Sequence, residues 1–93
     1  FNYVDGDEFV SGVFDRVHLR LSQDGAIESA AIIDFKTDRI RPNKTIEQAV
    51  AQHRPQLEAY RHALSRITGI DEARIDTILV FTDLPAALKV QNA

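Results

Sequence analysis

The chain has 93 residues, with 11 Lys+Arg, 14 Asp+Glu and a formal net charge of −3, enough for about one small domain. Cysteine, methionine and tryptophan are absent, which excludes a disulfide framework, a thiolate zinc site and a cysteine-held iron–sulfur cluster. Apolar runs such as Ala30–Ile33 fall far short of the roughly 18 residues of a membrane helix, and the acidic balance means that any nucleic-acid contact must come from a local patch.

With no Met and no signal or transit pattern, the sequence reads as a piece of a larger protein. Phe1–Val4 reads as a short strand turned by Asp5-Gly6-Asp7. Val10–Leu21 alternates as a second strand. Val13, Asp15, Val17, Leu19 and Leu21 lie on one face, with Arg16, His18 and Arg20 on the other. Asp24-Gly25 is a hairpin turn into an antiparallel partner strand, Ile27–Thr37.

Arg39–Thr45 is a polar loop. Thr45 and Gln48 form a capping-box pattern opening a helix over Ile46–Thr68. Its apolar stripe is Ile46, Ala49, Val50, His53, Leu57, Tyr60, Leu64 and Ile67. Gly69 is its stop, and Pro55 is expected to kink or split it near Arg54. Arg74–Thr82 reads as a buried strand ended by Asp83-Leu84-Pro85, with Ala87–Val90 a further edge strand. The order β-β-α-β implies an α/β (α+β) domain whose mixed sheet carries one long packed helix.

The chemistry concentrates in Ile33-Asp34-Phe35-Lys36-Thr37. Asp34 and Lys36 are two apart, so in a strand they share a face. The Asp24-Gly25 turn sets Asp15 opposite Asp34. Two carboxylates facing each other across a sheet repel, and taking them out of water costs several kcal/mol more. A divalent cation offsets both terms, and hard oxygen ligands favour Mg²⁺ or Mn²⁺ over Zn²⁺. The plainer reading of the same residues is an Asp34–Lys36 ion pair, with Asp15 paired to Arg16 or Arg39. The three residues together favour the metal reading.

Gly12-Val13-Phe14-Asp15-Arg16-Val17, Ile33-Asp34-Phe35-Lys36-Thr37-Asp38 and Gln56-Leu57-Glu58-Ala59-Tyr60 resemble, in order and spacing, three successive motifs of the RecB-like branch of the PD-(D/E)xK nucleases. The nearest likeness is to the C-terminal nuclease domain of AddA/RecB-type, UvrD-like helicase–nucleases, over about residues 9–82.

The resemblance implies a restriction-endonuclease-like core and metal-dependent hydrolysis of DNA phosphodiesters. It implies an exonuclease acting in double-strand break repair and recombination, in a bacterial cytoplasm. A helicase motor using ATP in the same chain, and a second nuclease or helicase subunit, would be its partners. A stand-alone RecB-like exonuclease and a non-catalytic DNA-binding scaffold remain alternatives.

Carried over residue by residue, Asp15, Asp34 and the backbone carbonyl of Phe35 would hold the metal. Lys36 would complete the catalytic set, orienting water or stabilising charge on the phosphate. Gln56 and Tyr60 would buttress the site and contact DNA. Read from the helix alone, Tyr60 is a core tyrosine and Gln56 a surface residue.

This branch usually draws another ligand from an upstream helix, and nothing before Phe9 reads as that helix. The 93 residues are therefore expected to be a partial nuclease domain with weak metal binding and little turnover by themselves. His18 is expected to face away from Asp15, His53 to pack in the core, and His62 to lie on the surface. Lys36, Arg39, Arg41 and Lys44 form a basic patch interrupted by Asp38. Such a patch reads as a solvated loop or, beside a nuclease site, as a surface for phosphates. Arg54 and Arg61 are expected to extend it from the polar helix faces.

Overall fold

The computed structural model describes residues 1–82 and the backbone of residues 87–90. β1 (Asn2–Asp5) and β2 (Glu8–Ser11) form an antiparallel hairpin turned by Gly6 at φ 60°. β3 (Arg16–Leu21) pairs antiparallel with β4 (Ile27–Lys36). Between them Gly25 takes φ 86°, the left-handed conformation a tight turn requires. The Asp24 carboxylate closes that turn by accepting the Ser22 hydroxyl and the Ala26 N–H.

The predicted register holds. Arg16 faces Ile33 and the pairing runs without a slip to Arg20 and Ser29, so one further step would set Asp15 opposite Asp34. The single long strand expected over Val10–Leu21 does not form. Residues 12–15 leave the ladder, and β2 pairs only with β1 in a separate sheet. Tertiary packing overrides the alternation here. Gly12 donates its N–H to the Phe1 carbonyl, and a Cβ on Gly12 would stand 2.6 Å from the Phe1 ring. That close approach needs glycine and bends the chain out of the sheet.

The helix α1 spans Ile46–Thr68, as predicted. Thr45 accepts the Gln48 N–H at 3.2 Å, and the Gln48 side chain accepts the Thr45 N–H at 2.9 Å. Gly69 caps the far end at φ 79°. Pro55 does not split α1. Pro55 and Ala51 both face solvent, so the carbonyl that loses its intrahelical donor is open to water. After Gly69 a 3₁₀ turn, Glu72–Arg74, capped by Asp71, delays the next strand. β5 therefore runs Ile75–Phe81, where Arg74–Thr82 was expected. β6 (Ala87–Val90) pairs antiparallel with β5. The expected Asp83-Leu84-Pro85 terminator lies outside the described residues.

The main sheet has the order β3-β4-β5-β6, with β4 and β5 parallel and α1 the crossover between them. This is the mixed α+β arrangement read from the sequence. One cluster beneath the helix joins Ala49, Leu57, Leu79 and Phe81. Another joins Ala30, Ile32, Leu64 and Ile75, flanked by Phe14, Val17 and Tyr60. The helix covers β4 and β5 but leaves the outer part of β3 open, so Leu19 and Leu21 are exposed despite their apolar parity. Ile67, at the end of the predicted stripe, is also exposed. Arg61 corrects the predicted helix wheel. It lies one turn after Leu57 and is buried, with its Nε unpartnered, so it does not extend the basic patch.

The first hairpin is tied to the C-terminal half of α1. Arg66 donates to the Val4 carbonyl at 3.0 Å and its guanidinium lies over the Tyr3 ring. His62 sits between Asp5 and Glu72 at 3.5 and 3.4 Å, more engaged than the plain surface position expected. Among the described residues no helix is long and apolar enough to cross a membrane.

Candidate active site

β4 alternates so that Ala30, Ile32, Asp34 and Lys36 face the helix side, while Phe35 is exposed on the other. Ala30 and Ile32 are core. The same parity then carries Asp34 into a buried position, 4% exposed, at the strand's C-terminal end. Lys36 Nζ lies 2.8 Å from Asp34 Oδ2. The contact is an ion pair without hydrogen-bond alignment, so this buried oxygen has no aligned donor.

Asp15 reaches the same place from outside the sheet. It precedes β3, is exposed rather than mid-strand, and its Oδ2 accepts the Phe35 N–H at 3.0 Å. Its carboxyl is held below the ordinary value of 3.8, first by that N–H, then by a hydrogen bond with Asp34 and the charge of Lys36. The Asp34 carboxyl moves the other way. Burial pushes it up and Asp15 adds to the push, while Lys36 opposes both. The two adjoining carboxyls are thus pushed apart, so that Asp15 loses its proton before Asp34. His18 is exposed on the opposite parity and does not join them.

A second layer holds the lysine. Lys36 Nζ donates to Gln56 Oε1 at 2.8 Å, and Gln56 Nε2 donates to the Tyr60 hydroxyl at 3.2 Å. The two α1 residues are one turn apart, so a single helix face carries the relay. The Tyr60 ring stands edge-on to Phe14 and Phe1, with centroids 5.4 and 5.9 Å away. Phe14, which precedes Asp15, was not singled out from the sequence. Its position between a glycine turn and the first acid was the available signal.

The structure thus joins Asp15, Asp34, Lys36, Gln56 and Tyr60. It does not bring all of the basic patch to them. Lys44 Nζ donates to Asp38 Oδ2 at 2.8 Å, and Arg39 and Arg41 are exposed. His53 was expected to be simply packed. Its Nε2 lies 2.9 Å from Asp38 Oδ1. The Asp38 carboxyl is held below its ordinary value, chiefly by Lys44 and then by His53. An ionised carboxylate only accepts, so Nε2 carries the proton.

The fit to a divalent cation can be judged from the donors. Asp34 Oδ2 is a buried oxygen without an aligned donor. The Phe35 N–H points to Asp15. Its carbonyl points to the same strand edge, beyond Arg16, the first β3 residue in the ladder. Among the described residues no three His, Cys, Asp or Glu side chains cluster as a metal-binding group. Two carboxylates and a carbonyl suit a hard cation that keeps several waters and draws further oxygens from a phosphate.

A family model of the PD-(D/E)XK nuclease superfamily matches residues 3–91. No curated protein and no solved structure matches the chain at a significant level. Members of this superfamily generally use divalent metal ions, in keeping with the donor set at the end of β4. The mixed sheet with its single long helix is compatible with a restriction-endonuclease-like core. With nearly its whole length matched, the chain belongs to the PD-(D/E)XK nuclease superfamily.

Proposed function

We propose that the chain hydrolyses DNA phosphodiester bonds with Mg²⁺ or Mn²⁺, as part of the nuclease domain of a RecB-like helicase–nuclease that processes broken DNA ends. The observation that carries this reading is the convergence of Asp15, Asp34 and Lys36 at one strand end, with Lys36 Nζ 2.8 Å from Asp34 Oδ2.

Asp15, Asp34 and the Phe35 carbonyl would hold the cation, which supplies Lewis-acid charge to the scissile phosphate. Asp15 is already ionised by its bond to the Phe35 N–H. A cation held there would favour the ionised form of Asp34, against the burial that disfavours it. Lys36 presents a fixed positive charge to the phosphate oxygens, in a place where burial strengthens it. Gln56 and Tyr60 keep that ammonium from wandering. The basic loop after β4 offers charge to the phosphate backbone, which positions a strand without reading its sequence. The three motifs support the RecB-like branch. The Thr37-Asp38 continuation favours the helicase-attached kind over a stand-alone exonuclease, with the motor and a second subunit as partners. The chain would then be part of a larger domain, acting in a bacterial cytoplasm.

The test is cleavage of end-labelled linear duplex and single-stranded DNA with Mg²⁺ or Mn²⁺. Wild type is expected to release labelled product only with metal, slowly if a further ligand lies elsewhere in the parent protein. Asp34→Asn and Lys36→Met are expected to abolish it. Metal-independent product, or cleavage unchanged in both variants, overturns the reading. Tight DNA binding without metal-dependent cleavage favours the scaffold alternative.

A further inference from the structure

Four cations lie between Asp34 and Thr45: Lys36, Arg39, Arg41 and Lys44. The sequence treats them alike, but the structure does not. Lys36 is occupied by Asp34 and Gln56. Lys44 is spent on Asp38, whose carboxylate is also bound by His53 from α1. The Asp38 side chain is 12% exposed and that of His53 15%, so this contact is shielded from solvent. Arg39 and Arg41 are exposed, and neither has a side-chain ion pair among the described residues.

The loop that carries the two arginines is closed twice. Arg41 and Lys44 exchange both backbone hydrogen bonds, at 3.0 and 2.9 Å, around Pro42-Asn43. Proline presets the first corner of such a turn and asparagine suits the second. Asp38 then ties the base of the loop to its far end through Lys44 and to the helix through His53. A segment fixed at three points has already lost most of its freedom, so a ligand need not order it.

We infer that residues 39–44 form a preordered clamp for a nucleic-acid backbone, in which Arg39 and Arg41 make the phosphate contacts. Asp38, Lys44 and His53 are positioning residues that hold the loop and do not touch DNA. The inference rests on the nuclease reading and divides the labour within its basic patch. Guanidinium groups suit the role because their planar fork pairs with phosphate oxygens. Lys44 lacks that freedom while Asp38 holds it.

Salt dependence of binding separates the roles, because each phosphate contact adds about 0.9 to the slope of log K against log[salt] on duplex DNA. The measurement is fluorescence anisotropy with a labelled duplex and Ca²⁺ in place of Mg²⁺, over a salt series. Arg39→Ala and Arg41→Ala are each expected to lower the slope by about 0.9 and to weaken binding roughly five- to tenfold at 0.1 M salt. Lys44→Gln is expected to leave the slope unchanged while weakening binding a few-fold. His53→Ala should weaken binding likewise, and His53→Gln, which keeps an N–H donor, should recover most of the loss. A Lys44→Gln slope change equal to that of the arginines overturns the division. So does tighter binding by Asp38→Ala, which would mean that a released Lys44 is the better phosphate ligand. Wild type that cleaves DNA but is indifferent to both arginine changes removes this inference alone. Wild type that neither binds nor cleaves DNA removes the nuclease reading with it.

Discussion

Asp15 Oδ2 accepts the backbone N–H of Phe35 at 3.0 Å, so the first acid is bonded to the peptide between the second acid, Asp34, and Lys36. A side chain from outside the sheet thereby closes the end of the β3–β4 ladder and is aimed at the site by the same bond. This bond lowers the pKa of the Asp15 carboxyl, while burial raises that of Asp34.

Asp15 has a folded pKa below 3.8, so its stabilising effect is present above that value and is lost as pH falls through the folded pKa. Asp34 has a folded pKa above 3.8. Its cost is absent at low pH, where it is protonated in both states, and grows as pH rises from that value through the folded pKa. Without metal, Asp34→Asn is expected to gain stability relative to wild type as pH rises through the folded pKa of Asp34, and to show no such gain in acid. Asp15→Asn is expected to destabilise it at neutral pH and lose its effect in acid. Thermal melts of both variants across the pH range check the opposite signs.

Gln56 accepts a hydrogen bond from the Lys36 ammonium at 2.8 Å, so under the proposed function it acts on the chemistry through that lysine. Gln56→Leu is expected to lower the DNA cleavage rate about tenfold or more. As Gln56 is exposed, stability should change by less than about 0.5 kcal/mol. Tyr60→Phe removes only the hydroxyl that orients the Gln56 amide and should have a smaller effect in the same direction. Single-turnover cleavage beside urea melts separates lost rate from lost fold.

Arg61 is buried with an unpartnered Nε on the helix face that carries Leu57 and Leu64. Arg61→Met keeps most of the stem and removes the unsatisfied donor. It is expected to raise stability by about 1 kcal/mol. A loss of similar size in denaturant unfolding would show that the guanidinium has a partner.

Thr45 and Gln48 satisfy each other's backbone N–H groups at the start of α1. Thr45→Ala is expected to cost about 1 kcal/mol. Because Lys44 and the loop adjoin this cap, the cost should appear in the chemical denaturation midpoint and in hydrogen exchange of the first helical turn together.

Much of this was legible from residues. The limits of α1 followed from Thr45, Gln48 and Gly69, because capping is local chemistry. The β3–β4 register that brings Asp15 beside Asp34 followed from the Asp24-Gly25 turn, although Asp15 itself leaves the ladder and bonds to Phe35. What failed depended on contacts far apart in sequence. Val10–Leu21 alternates like a strand, yet Phe1 packs on Gly12 and Asp15 turns to Phe35, so the strand breaks. Arg61 looked polar by type, although its spacing from Leu57 and Leu64 already placed it on the buried face. The links from Lys36 to Gln56 and from Asp38 to His53 arise only when α1 docks on β4. Periodicity cannot show them, and the Gln56 and Tyr60 pair was visible only through its motif.

The most direct measurement is Mn²⁺ binding to the protein, read from the signal of free ion by electron paramagnetic resonance. One site is expected in wild type, lost in both Asp15→Asn and Asp34→Asn, with Asp38→Asn binding as wild type does. Binding that survives both of the first two changes would show that these carboxylates do not jointly hold the ion, and would contradict the account.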